Sequence, residues 1–317
     1  GTAYVDNFTI LQYTEDGTAG YNGWLPSNSF TSSQLKLWLR SDVGITTSVS
    51  TGEITTWEDQ SGNSFNVSSP SAGSGGASAI TTPVELSNAS VGVRFDHTSH
   101  RFMQRSYTAG LDFNLEGTGV SAVYLVRMYK STIGDLSSAG VDDMVCPVIN
   151  NGFLYRYRFV DDPTPSAGAS NDIKNFEVQN GVASIIGANT TMYTVSSYDI
   201  IIQVANGAGA PAGSRVAGAT EYGFWRNGEQ KNAVTQEPAS TGRDDSPPIR
   251  LGKRSDDASP VDEDFAYGSY DVVELQMYNL PLLGEDRQKV EGYLAWKYGL
   301  VANLPSDHPY KSAPPSA

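Results

Sequence analysis

Residues 35 to 42 read LKLWLRSD, and this stretch decides the fold. Leu35, Leu37 and Leu39 alternate with Lys36, Trp38 and Arg40. A period of two describes a half-buried strand, not a helix. Downstream, ITTWEDQSGN at 54 to 63 repeats the pattern and closes in turn chemistry at DQSGN. Val91, Val93 and Phe95 alternate again, and VSAVYLVRM at 120 to 128 is nearly continuous in apolar residues, as a central strand is. FLYRYRFV at 153 to 160 sets Phe153, Tyr155, Tyr157 and Phe159 on one face and Arg156 and Arg158 on the other. Residues 173 to 178, 183 to 186 and 197 to 204 read as further strands. Residues 221 to 226 run into Asn227-Gly228, a pair that takes the positive φ angles of a type I′ hairpin turn. Strands at 249 to 251 and at 270 to 278 (YDVVELQMY) complete the set. Turn signals at roughly ten-residue intervals are the mark of an antiparallel sandwich.

One helix is expected, at 285 to 298 (EDRQKVEGYLAWKY), with acids in its first turn and Gly299 as its C-terminal cap. Val290, Tyr293, Leu294 and Lys297 share a face, with Trp296 beside it. Gly292 costs about 1 kcal/mol inside a helix relative to alanine, which predicts close approach to another backbone. The helix is expected at one edge of the sandwich, followed by a Pro-rich tail at 304 to 315 strapped along the body. Residues 68 to 82 and 205 to 218 are Gly-rich surface loops. The first 33 residues stand apart. Their apolar run (Val5, Phe8, Ile10, Leu11, Tyr13) cannot form a core alone, so residues 1–33 form an arm or docking segment and 34–317 one domain. The Gly-containing turns after that run favour an arm that reaches a neighbouring subunit.

Composition narrows the function. The 317 residues carry a net charge of −14, which repels phosphate backbones and argues against a nucleic-acid partner. No stretch approaches the roughly 20 apolar residues of a membrane span. The single cysteine, Cys146, allows neither an intramolecular disulfide nor a cysteine metal cage. Only 18% of residues are charged, while 32 glycines and 17 tyrosines suit short strands joined by many turns.

LKLWLRSD followed by ITTWEDQSGN resembles the opening of a concanavalin A-like, laminin-G-like jelly roll. The closing stretch VVELQMYNLPLLGEDRQKVEGYLAWKYGLVANLPSDHPYKSAPP is similar to a C-terminal signature of such domains in tailed-phage structural proteins and large bacterial surface proteins. The likeness spans about residues 35 to 315. Gly284 stands where a serine commonly starts the helix, and Tyr298-Gly299 replaces the Trp-Gly pair. The resemblance implies an all-β, two-sheet antiparallel jelly-roll sandwich with one C-terminal helix. It further implies a non-enzymatic structural or attachment protein on a virion surface or in an extracellular setting. Its partners would be other virion or surface subunits in a homo-oligomer or larger assembly, or a surface glycan.

Chemistry is sparse. The jelly-roll glycosidases place two inward carboxylates on one strand. Asp271 and Glu274, three apart, are expected on opposite faces. His97 and His100 sit in a turn-rich stretch without metal-ligand company, and Cys146 lies in an apolar run. Calcium is the one cofactor the fold suggests, in acidic rim loops, with Asp161 and Asp162 or Asp262 and Asp264 as ligands. Two rival functions remain: a lectin stacking sugar on the rim aromatics Tyr155, Trp225 and Tyr267, and a glycan-degrading enzyme.

Overall fold

The computed structural model describes residues 23–70, 77–87, 89–96, 99–105, 120–128, 143–145, 153–159, 177–180, 183–186, 197–205, 222–234, 249–252 and 270–316. The short helix α1 (Pro26–Ser29) precedes strands β1 (Leu35–Arg40), β2 (Ile45–Thr47), β3 (Ile54–Trp57), β4 (Val67–Ser68), β5 (Ala77–Ser78), β6 (Ile80–Leu86), β7 (Ala89–Phe95), β8 (Arg101–Arg105) and β9 (Val120–Met128). Strands β10 (Asp143–Val145), β11 (Phe153–Phe159), β12 (Glu177–Asn180), β13 (Ala183–Ile186), β14 (Asp199–Ala205), β15 (Tyr222–Arg226), β16 (Glu229–Val234), β17 (Ile249–Leu251) and β18 (Tyr270–Tyr278) follow, and α2 (Gly284–Tyr298) comes last. The protein is an all-β sandwich of antiparallel sheets with one long C-terminal helix.

The large sheet runs β16-β15-β14-β9-β18-β7-β6, with β1 also on β18. The second sheet runs β17-β8-β4-β3-β2, and β10 to β13 form a four-stranded meander. Strand β18 is the spine, with all nine residues buried. One edge pairs with β9 throughout. The other pairs with β7 through Val272 and with β1 from Glu274 onward. A β-bulge falls at this changeover, between Val272 and Glu274. There Ser41 pins the seam, its N–H donating to the Val273 carbonyl at 2.9 Å and its hydroxyl to the Val91 carbonyl at 2.7 Å.

Both faces of the large sheet are covered. One face is apolar through Tyr124, Val126, Ile201, Val272, Leu275 and Met277, all buried, as are Ile54, Trp57, Val67, Phe102 and Met103 of the second sheet. The other face carries Leu35, Trp38, Val123, Leu125, Ile200, Ile202 and Tyr278, which form one core cluster with Val290, Tyr293, Leu294 and Tyr298 of α2. Helix α2 therefore lies across a sheet face and not along an edge. Strand β1 is accordingly buried on both sides, where alternation alone describes a half-buried strand. A bulge between Leu35 and Leu37 turns Leu35 to the helix side, beside Trp38.

Local expectations are met at several points. Asn227 and Gly228 have φ of 51° and 84°, as a type I′ turn requires. Helix α2 ends at Gly299 with φ 74°. Gly292 faces a side chain and not a backbone: a Cβ there would lie 2.7 Å from Tyr310 Cβ. Tyr310 is held in turn, because the Trp296 indole donates to its carbonyl at 2.8 Å.

The WEDQSGN loop is a knot of hydrogen bonds. Asp59 accepts from the Trp38 N–H at 2.8 Å, the Ser61 N–H and hydroxyl at 2.9 and 2.7 Å, and the Phe65 N–H at 3.0 Å. The Asn63 amide donates to the Leu35 carbonyl at 3.0 Å. The Trp57 indole donates to the Arg40 carbonyl at 2.8 Å. Trp24 and Phe30 also enter the core, Trp24 meeting Tyr293 edge to face at 6.2 Å. Residues 24 to 30 thus fold back on the domain, and the Trp24 N–H donates to the Pro315 carbonyl at 3.2 Å. Residues 1–22, with the apolar run of the expected arm, lie outside the described residues.

Candidate functional site

The bulge in β18 changes the placement of its two acids. Asp271 pairs with Arg127 and Glu274 with Leu125, two positions apart on β9, so both acids point to the helix-side face. The expectation of opposite faces fails because the extra residue resets the alternation. The two acids then take different partners.

Glu274 is 1% exposed. Its Oε1 accepts from the Trp38 indole and the Gln276 amide, each at 2.6 Å. Its Oε2 accepts from the Tyr298 hydroxyl at 2.7 Å, Lys297 Nζ at 3.1 Å and the Tyr293 hydroxyl at 3.2 Å. Lys297 also lies 3.5 Å from Asp42, which takes a two-pronged contact from Arg40. Two cations therefore balance two anions. Burial pushes the Lys297 amine below its ordinary value, outweighing the pull of Glu274 and Asp42. Burial drives the Tyr293 and Tyr298 phenols well upward, and Glu274 adds to this. For Asp42 the burial effect is overcome by the hydrogen bonds of Arg40 and the charge of Lys297, and its carboxyl is held low. Buried charges survive only when paired and hydrogen-bonded, and this cluster meets that condition by filling every acceptor of Glu274. It bolts α2 to the sheet.

A second buried pair anchors the tail. Glu291 is contacted by Arg287 and by His308 Nε2, the latter at 3.0 Å. The Tyr310 N–H donates to His308 Nδ1 at 3.2 Å. Nδ1 is thus the acceptor, and Nε2 carries the proton given to Glu291. The Arg287 guanidinium sits 4.7 Å over the Trp225 ring.

Asp271 belongs to a third group, open to solvent. Ile80, Arg94, Asp271 and Arg127 stand opposite one another on β6, β7, β18 and β9. Tyr198, one residue before β14, lies under Arg127, whose guanidinium is 4.7 Å from its ring centroid. The Asp271 carboxylate is 0% exposed. It receives Arg94 Nε and Nη2 at 2.7 and 2.8 Å, and Arg127 Nη2 at 2.8 Å and Nε at 3.3 Å. The guanidiniums keep 27% and 22% of their side chains exposed. The Tyr198 ring is 7% exposed, and its hydroxyl has no hydrogen-bond partner. The row presents two cations outward over one sunken anion.

The residues singled out from the sequence are placed as follows. Trp225 is 8% exposed, with one ring face taken by Arg287. Tyr155 lies on β11, and its side chain is outside the described residues, as are Tyr267, Asp161, Asp162, Asp262, Asp264, His97 and Cys146. Among the described residues no group of three or more His, Cys, Asp or Glu is gathered to hold a metal, and no helix is long and apolar enough to cross a membrane. Sequence reading missed the Arg94–Asp271–Arg127 row. Its signal was present as a lone arginine in each of two apolar strands (VGVRF, VSAVYLVRM) and an aspartate near the start of the strand between them (YDVVELQMY).

No protein-family model matches the chain, and no curated protein matches it in sequence. Solved structures resemble it in fold. The binding domain of Paraclostridial Mosquitocidal Protein 1 shares 14% identity with a TM-score of 0.47, over 80% of this chain and 50% of that one. Trypanosoma rangeli sialidase in complex with sialic acid shares 10% identity with a TM-score of 0.44, over 82% of this chain and 32% of that one. The receptor-binding domain of botulinum neurotoxin mosaic serotype C/D shares 11% identity with a TM-score of 0.44, over 83% of this chain and 51% of that one. This chain thus spans between about a third and about half of the neighbours' length.

Proposed function

We propose that this chain is a non-enzymatic attachment or structural module of a virion or cell surface, whose jelly roll binds a partner protein or a surface glycan. One observation carries the reading. Glu274, the acid at the centre of the closing signature, is 1% exposed and already accepts five hydrogen bonds. A general acid or base must reach a substrate proton, and this carboxylate has neither a free lone pair nor a path to solvent. Asp271 is likewise sunk beneath two guanidiniums. These polar residues work as framework, and binding is left to the loops. In a lectin, Tyr155 and Tyr267 would stack on sugar, and Trp225 would join them only if Arg287 moved aside. A rim calcium on Asp161 and Asp162 or on Asp262 and Asp264 would raise the melting temperature when added and lower it on chelation.

The test is incubation with an immobilised glycan panel, scoring retained protein and newly released reducing ends together, with imaging of the native assembly. Retention without release, on particles that display the domain at their surface, is the expected result. Release of reducing ends would overturn the reading.

A further inference from the structure

We propose that Lys297 and Asp42 condense to an amide inside the folded chain, with Glu274 taking a proton from the amine and Arg40 activating the carboxyl. The step is independent of what the module binds.

Lys297, in the last turn of α2, brings its amine 3.5 Å from Asp42 Oδ2 and 3.1 Å from Glu274 Oε2. The Lys297 and Glu274 side chains are each 1% exposed, and that of Asp42 is 14% exposed. Reactive groups held about 3–3.5 Å apart behave as if at a concentration of about 10⁵ M or more. An amine and a carboxyl that stay apart as ions in water can then join. Burial favours the uncharged amine, which is the form that attacks, and pushes Lys297 below its ordinary value. Burial also raises the Asp42 carboxyl, but the hydrogen bonds of Arg40 outweigh it and hold that group low. The ion pair is therefore the resting form, and the condensation is slow. The same guanidinium prepares the carbon for attack. It grips both oxygens, Nε donating to Oδ1 at 3.0 Å and Nη2 to Oδ2 at 2.7 Å, and stabilises the charge that develops there.

No co-reactant is needed: an ammonium and a carboxylate become an amide and one water. The bond from Lys297 Nζ to Asp42 Cγ forms, and one Cγ–O bond of Asp42 breaks. The nitrogen sheds two protons, the first along its existing hydrogen bond to Glu274, and both depart with the leaving oxygen as water. Glu274 is closed to an outside substrate, but here its partner is the amine it already holds. The Tyr298 and Tyr293 rings lie 4.7 and 5.4 Å from that amine and shield the product from hydrolysis. The amide ties the chain just after β1 to α2, so that a pull on the domain cannot strip the helix from the sheet.

The experiment is mass spectrometry of the full chain, kept folded and then denatured. A mass one water below that of the sequence is expected. Proteolysis should yield a branched peptide joining the segments that carry Asp42 and Lys297. Asp42→Ala and Lys297→Met should each restore the full mass. Glu274→Gln keeps both reacting groups and should slow the loss of water roughly a hundredfold, the share of a positioned base. If a variant fails to fold, the peptide map of the parent still decides. A parent of full mass overturns the proposal. So does a water lost elsewhere, such as a succinimide at Asp16-Gly17, or a Glu274→Gln variant that condenses as fast as the parent.

Discussion

Three phenols crowd the Glu274 carboxylate: Tyr293 and Tyr298 donate to it directly, and Tyr278 reaches it through Gln276. Burial, reinforced by the charge of Glu274, drives all three well above their ordinary value of 10.0. The folded chain therefore keeps protons that the unfolded chain surrenders above pH 10. Their contribution to stability is whole below that pH and is lost as pH climbs past it. Lys297 works in the opposite sense. Its folded value lies below 10.5, so its contribution grows as pH rises toward that value. Three phenols outweigh one amine, and cooperative alkaline unfolding above pH 10 is expected. Tyrosinate absorbance and circular dichroism followed together would check this. Smooth titration of every tyrosine with the fold intact would count against the cluster. The strands of LKLWLRSD and ITTWEDQSGN were legible from alternation and turn chemistry. The shared face of Asp271 and Glu274 was not, since YDVVELQMY carries no glycine or proline to mark its bulge.

Among elements, α2 was the most legible and the most misplaced. Its acidic first turn and glycine cap set its limits to within a residue of Gly284–Tyr298. Its seat across a sheet face depends on Glu274 and Gln276 pointing toward it, and periodicity does not report which neighbour a strand's polar residues meet. Gly292 tests the seat. Alanine there would add about 1 kcal/mol of helix propensity. Its Cβ, however, would lie 2.7 Å from Tyr310 Cβ, and such overpacking costs about 1–3 kcal/mol. A net fall in melting temperature is expected for Gly292→Ala. A variant at least as stable as the parent would mean that the tail yields and is not firmly strapped.

For the whole molecule, the arm idea can be separated from core packing. Trp24 contacts Tyr293 and Phe30 edge to face at 6.2 and 6.0 Å. Removing residues 1–30 takes Trp24 and Phe30 out of the core and should cost at least the roughly 3–5 kcal/mol typical of emptying one large aromatic site. Removing only 1–22 should leave the melting temperature unchanged. If those residues tie copies together, the shorter deletion abolishes assembly in light scattering, and normal assembly would sink the arm. The clasp between the Trp24 N–H and the Pro315 carbonyl has a consequence beyond packing. The chain enters and leaves the sandwich at one spot, as the two leads of a plug do. Such a body can be grafted into a surface loop of a host protein without prying the loop open, and a linker of a few residues suffices to join the two leads and cut the chain elsewhere.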